Sequence, residues 1–403
     1  MRHSGMPSPE LPRLTPAVAR SFAVVAAIVY VADLLAQTRD HLSNGAGRPF
    51  GDDFINYWSA AYLAWHGRAS EIYDFQAFHI FEQSVIGAPI QDYHYSYPPV
   101  LLLLTAPLAV MPYVPALFVW LGASWYAFYR ALRLAMPQGG ALLFALASPA
   151  VLINAIGGQN GAWTAALLGG GLGLMERRPL LAGGVLGLLI YKPQLGLLIP
   201  IALVAGRQWR ALAAASVVAG GLLALSVVCF GPEVWTDNLR NVGLLRKTIL
   251  EDGTGVWHRF VSVFVAARRL GAPVETAYVI QIVSGLLASV AVAWVWWGRA
   301  PAGVKNAVLV LGTCLASPYL QDYDLVFATL VVAWLWQTCG SVNSSLTLLI
   351  CSGLLLVLPL AASALAHPTG LALGPLFILP LYLVALRMSV DSRVTELRWS
   401  AST

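Results

Sequence analysis

The sequence predicts an all-α polytopic membrane protein, a helical bundle with a long first extracytoplasmic loop. Three observations predict it. First, hydrophobic residues make up 58% of the 403-residue chain and charged residues only 11%, where a soluble domain carries about a quarter charged. Mean hydropathy is +0.70, and too few polar side chains exist to clothe a water-facing surface. Second, no Asp, Glu, Lys or Arg occurs in 93–129, 134–175, 211–232, 276–298 or 325–386. A spanning helix needs about 20 apolar residues, so the last run alone suffices for about three crossings. Third, these runs do not alternate as the strands of a membrane β-barrel do. A soluble globular protein, a disordered chain and a nucleic-acid binder are excluded. The net charge of +5 marks cytoplasmic loops, not a DNA partner.

The first apolar stretch starts near Ser21, late and without a small-residue cleavage site. It reads as a retained helix over 21–37, not a signal peptide. Further spans are expected at 98–111, 114–135, 140–156, 161–175, 179–204, 209–230, 273–298, 304–317, 324–338, 346–366 and 371–388. The pieces 98–111, 304–317 and 324–338 are too short to cross alone. They read as half-helices or re-entrant segments, which need protein or a water-filled cavity over their open backbone. The whole chain, 1–403, is expected to form one integral membrane domain of about 10–13 helices, short ones included. Cys229, Cys314, Cys339 and Cys351 form no CxxC pair and read as small buried hydrophobes, not as a disulfide or zinc framework.

Orientation follows from Lys and Arg placement. Basic clusters stand at Arg13/Arg20, Arg130/Arg133, Arg177/Arg178, Arg207/Arg210, Arg299/Lys305 and Arg387/Arg393/Arg398, whereas the polar stretch 38–97 holds seven acids and three bases. Both termini are therefore expected in the cytoplasm, with 38–97 and the second polar segment, 231–271, outside. The breaks at 157–161, 191–194 and 317–324 should face outside too. That requires 179–204 to be two arms turning at Lys192-Pro193, and 98–135 to cross an odd number of times.

Several residues are candidates for chemistry. Asp52 and Asp53 stand side by side before Phe54. They read either as loop acids capping a helix or as a general base near apolar walls, where a carboxylate pKa rises. Tyr57, Trp58 and Tyr97 read as an interfacial aromatic belt or as a wall for a sugar or lipid head group. Gln159 and Asn160 interrupt an uncharged run, either tying helices together or lining a polar cavity. Lys192 sits mid-way along an apolar run beside Pro193. An ionisable group at such depth is a functional candidate, and a phosphate anchor is its sharper reading; snorkelling is its plainer one. The stretch with Trp235, Arg240, Arg246, Lys247, Trp257, His258 and Arg259 fits an amphipathic segment on the membrane, or it supplies a cation for a phosphate. Asp322 and Asp324, between two short apolar arms, either cap the next helix or line a cavity. No nucleotide motif, HExxH sequence or metal-ligand cluster is present.

Taken in order, Asp53-Phe54…Tyr57, Tyr73-Asp74, Tyr97-Pro98-Pro99, Gly158-Gln159-Asn160, Glu176-Arg177-Arg178-Pro179, Lys192-Pro193, Ser262-Val263-Phe264…Arg268-Arg269-Leu270-Gly271 and Ser317-Pro318…Tyr323-Asp324-Leu325 resemble one family. The chain is similar to glycosyltransferase family 87, whose members include actinobacterial polyprenol-phosphate-mannose-dependent mannosyltransferases. Each motif is weak, but their order spans nearly the whole chain. The resemblance implies a GT-C fold in the cytoplasmic membrane and an active site on the extracytoplasmic side. It implies transfer of a sugar, a hexose such as mannose, from a polyprenyl monophosphate to a hydroxyl of a glycolipid or glycan, with inversion. It aligns the family's first-loop acid with Asp53. It implies no cofactor, and its partners are the lipid-linked donor, the acceptor and membrane lipids. Lys192, His258 or Arg259 would meet the departing phosphate. A transporter or flippase of a lipid-linked or small polar solute shares the broken helices and the buried lysine, but it would place binding residues in both halves of an internal repeat, and no repeat is detected.

Overall fold

A computed structural model describes residues 16–137, 139–254, 256–339 and 345–400. Arg13 lies outside the described residues, as do the side chains of Arg393 and Arg398. The regular structure is helical throughout the described residues. Helix α1 (Pro16–Ala36) leads into the polar loop, which carries α2 (Phe54–Trp65) and α3 (Phe75–Ile86). The expected half-helix at 98–111 is α4 (Val100–Leu104) followed by a tight turn to Val110. It stays at one end of the bundle, because Trp65 Nε1 donates to the Leu102 carbonyl at 3.1 Å and Trp58 Nε1 to that of Met111 at 2.9 Å. Only α5 (Tyr113–Ala135) then crosses, so 98–135 traverses the bundle once.

The direction of the later helices can be read from their glycines. After α5, the chain returns through α6 (Ala141–Leu146) and α7 (Pro149–Ile156), which Pro149 separates. Next, α8 (Gly161–Leu174) runs parallel to α5, with Gly169 against Ala131 and Gly173 against Leu134. Helix α9 (Pro179–Gly187) folds back along α8, with Leu186 beside Gly171. The chain breaks at Lys192-Pro193, passes α10 (Pro193–Gly196) and α11 (Ile199–Ala205), and enters α12 (Trp209–Phe230). Gly183 packs on Ala211 and Gly187 on Ala215, so α9 and α12 are parallel and the chain between them reverses. Two arms do turn at Lys192-Pro193, as expected.

The second polar segment holds α13 (Pro232–Leu245) and α14 (Val263–Arg269). Helix α15 (Val274–Trp297) and α16 (Ala302–Ala316) form an antiparallel hairpin, with Gly285 near Ala316 and Gly312 near Val292. A break over 317–327 precedes α17 (Ala328–Thr338), whose end lies beside Gly303. The chain therefore reverses at that break too. Helices α18 (Ser345–Thr369) and α19 (Gly374–Ser400) complete the bundle. Among the described residues, five helices, α1, α12, α15, α18 and α19, are long and apolar enough to span a membrane, and their large exposed hydrophobic side chains are aliphatic or Trp.

Following these directions puts Arg130/Arg133, Arg177/Arg178, Arg207/Arg210 and Arg299/Lys305 at one end of the bundle. Arg207 stacks on Trp297 at 5.1 Å there. The breaks 157–160, 191–193 and 317–327 gather at the opposite end, together with the turn that carries Asp52 and Asp53.

Candidate active site

Asp53 is the last residue before α2, but its side chain makes no capping bond. The chain is pinned behind it. Gly51 N donates to Gln37 Oε1 at 2.7 Å, and Gly51 and Asp52 both have positive φ. Gly158, also at positive φ, lies against the Gly51 carbonyl and Phe54, where any Cβ would collide with backbone. The 157–160 break is thereby locked onto the turn before α2.

The two adjacent carboxylates part company. Asp52 accepts from Arg48 Nε at 3.0 Å and from Tyr93 OH at 2.7 Å. Arg48 also bonds Asp33 at 2.7 Å and the Ile156 carbonyl at 3.0 Å. Asp52 is thus consumed in tying α1, the loop and α7 together. Asp53 instead accepts from Gln159 Nε2 and from Arg259 Nη1 at 3.4 Å. Its side chain keeps 27% exposure. Burial, and then the charge of Asp52, push its pKa up to about 7, against the opposing pull of Arg259 and Gln159. Enclosure raises the pKa because it penalises the charged form.

Gln159 relays this arrangement inward. Tyr57 OH donates to Gln159 Oε1 at 2.8 Å and stands 2.8 Å from Tyr97 OH. Residue 57 lies one helical turn after Asp53, so both face the 157–160 break. Arg259 is held by backbone pairing between 260–261 and 320–321, and its Nε reaches Asp322 Oδ1 at 3.3 Å. Burial alone would lower its pKa, but Asp322 and Asp53 more than offset this, so the guanidinium stays charged. It is 19% exposed.

Lys192 lies deeper, at 2% exposure. Its Nζ donates to Asp324 Oδ1 at 2.5 Å and to Asn160 Oδ1 at 3.0 Å, and it stands 4.7 Å over the Tyr323 ring. Tyr323 also faces Arg259, at 5.5 Å. Asp324 closes a capping box with Gln321 as well, the structural role expected of it. Glycine 161 packs on the Tyr323 carbonyl, which joins the 157–160 and 317–327 breaks.

Asp52, Asp53, Tyr57, Tyr97, Gln159, Asn160, Lys192, Arg259, Asp322 and Asp324 therefore meet around one place. Two further candidates make ring contacts of their own. Trp58 points to the Met111 carbonyl and stacks on Tyr62 at 5.1 Å, one face round from Tyr57. His258 pairs with His367, with ring centroids 4.5 Å apart. Sequence reasoning missed Arg48, Tyr323 and Glu82. The Arg48/Asp52 spacing of four was a readable signal for an ion pair. Glu82, with 0% exposure and no hydrogen-bond partner for either carboxylate oxygen, is pushed well above the usual carboxylate range by burial. Nothing in its sequence neighbourhood marks it. Among the described residues, no group of three or more His, Cys, Asp or Glu side chains is placed to hold a metal.

A family model, glycosyltransferase family 87, matches residues 95–318, more than half of the chain. The match takes in Tyr97, Gln159, Asn160, Lys192 and Arg259, and it stops short of Asp53 and Asp322. No curated protein and no solved structure matches the chain.

Proposed function

The chain belongs to glycosyltransferase family 87, and from that premise we propose a specific reaction for this membrane glycosyltransferase. It moves a hexose such as mannose from a polyprenyl monophosphate to a hydroxyl of a glycolipid or glycan, at the extracytoplasmic face of the cytoplasmic membrane. Asp53 takes the acceptor's hydroxyl proton. The acceptor oxygen attacks the anomeric carbon as the carbon–oxygen bond to phosphate breaks, and the bonding pair leaves with the polyprenyl phosphate. One displacement inverts the anomeric centre. The phosphate charge is met by Arg259, the half-open cation beside Asp53, since donors aimed at developing charge lower the barrier. Lys192 is already neutralised by Asp324 and holds Asn160 and Tyr323 in place.

The observation that carries this reading is the contrast between the two acids. Asp52 is saturated by Arg48 and Tyr93, while Asp53 is partly exposed and has a pKa near the working range of a base. The grouping of the basic clusters at the opposite end supports an outward-facing site. The family assignment sets the carrier reading aside. The test is Asp53→Asn in the purified protein with a defined lipid-linked sugar. Turnover should fall by about 10²–10⁴, while binding of polyprenyl phosphate persists. Turnover near wild type would overturn the assignment of the base.

A further inference from the structure

Helix α13 has three distinct faces. Successive residues turn by about 100°, so Val234, Asn238, Asn241 and Leu245 share one face. Val234, Asn238 and Leu245 are buried. Trp235, Leu239 and Val242 share the next face, where Leu239 is 67% and Val242 45% exposed. Glu233, Asp237 and Arg240 occupy the third, which also carries the exposed Leu244. This apolar stripe continues the membrane-facing surface of α12. Trp235 Nε1 donates to Ser226 of α12 at 3.1 Å, beside the exposed Leu225 and Val228.

The buried face makes polar contacts of a particular kind. Asn238 Nδ2 donates to the Tyr97 carbonyl at 3.1 Å and Asn241 Nδ2 to the Tyr95 carbonyl at 2.9 Å. Tyr73 OH reaches the same Tyr97 carbonyl at 2.8 Å. Tyr97 OH continues through Tyr57 and Gln159 to Asp53.

We propose that α13 is seated in the bilayer interface on its Trp235/Leu239/Val242 face, and that Asn238 and Asn241 are positioning residues that register the Tyr95–Tyr97 strap, and through it the base, against the membrane surface. The occupant of the apolar face is the lipid itself, because the stripe is continuous with a helix already apolar enough to span. A helix with one apolar, one polar and one protein-facing side suits the plane of the interface. The device places the catalytic wall at a set height above a membrane-borne donor. The seat in the membrane does not depend on the reaction proposed above; the clamp's effect on turnover does.

The experiment uses the full chain in lipid nanodiscs, with the exposed Cys229 changed to Ser. Spin labels at Leu239→Cys and Arg240→Cys should differ: the first accessible to oxygen and shielded from a water-soluble nickel chelate, the second the reverse. Equal access of the chelate to both overturns the membrane seat, whatever the enzyme's activity. In a second arm, Asn238→Leu should lower kcat/KM by about tenfold and displace the acid limb of its pH profile, while Asn238→Gln recovers part of both. A merely structural residue would reduce the folded fraction and leave that limb in place. An unmoved limb and unchanged kcat/KM in Asn238→Leu overturn the clamp. If that variant does not fold, Asn241→Ala carries the same readout.

Discussion

At the residue scale, Asp53 is set apart by what its neighbour lacks. Asp52 sits at positive φ in the turn and Asp53 opens α2, so the two side chains part: one is spent on Arg48 and Tyr93 while the other faces Gln159 and Arg259. This predicts a pH dependence of definite sign. A base with its pKa raised to about 7 is inactive when protonated, so kcat/KM should fall as pH drops through about 7. The same shift acts oppositely on stability: the folded state holds the proton more tightly than the unfolded chain, so this contribution is greatest below the ordinary carboxylate pKa and is lost as pH rises through about 7. Asp52→Asn removes a charge that raises the Asp53 pKa, so it should move the activity limb to lower pH and cost far less turnover than Asp53→Asn. A limb that stays put in Asp52→Asn would show that the two charges do not interact. Arg259→Gln should weaken polyprenyl phosphate binding by about 1.5–3 kcal/mol, the scale of a hydrogen bond to a charged group. Unchanged affinity by calorimetry would remove Arg259 from the phosphate.

At the element scale, the breaks matter more than the helices. Pro193 and Pro318 interrupt runs that would otherwise span, and the freed backbone at 188–193 and 317–327 surrounds the Lys192–Asp324 pair. Breaking a buried ion pair from one side leaves an uncompensated charge and costs about 3–5 kcal/mol. Lys192→Met should therefore lower the unfolding temperature markedly in detergent, and adding Asp324→Leu should restore most of it. Thermal unfolding of the two variants decides this; a single variant as stable as wild type would mean that the pair holds nothing together. Asp53's N-terminal position on α2 was legible from sequence, since an acid before an apolar-periodic run reads as a cap. That its side chain declines the cap was not, because the partner that draws it away, Gln159, lies more than a hundred residues along the chain.

At the scale of the whole molecule, the path of the helices sorts the charges. The tight helix contacts at Gly169, Gly183 and Gly303 fix which neighbours run parallel and which antiparallel, and the resulting path collects the basic clusters at one end and the polar breaks at the other. With the basic end in the cytoplasm, an engineered cysteine at Gly45 should react with an impermeant maleimide from outside, and one at Arg207 only after permeabilisation. The reverse pattern would turn the molecule over and move the site to the cytoplasmic face.

The sequence by itself determined that the chain is a helical membrane protein, where its breaks fall, and which acids, amides and cations interrupt its apolar runs, because the scarcity of charge and the periodicity of apolar residues are local properties of a chain that lipid must solvate. Its ordered motifs also pointed to the family. The tertiary structure alone decided that Asp53 and not Asp52 meets Gln159 and Arg259, that Lys192 is already neutralised by Asp324, that Arg259 stands between Asp53 and Asp322, and that Trp58 turns to the Met111 carbonyl. Each of these depends on a contact between segments separated by tens to hundreds of residues, and on the one direction in which each side chain leaves its helix, which no local pattern encodes.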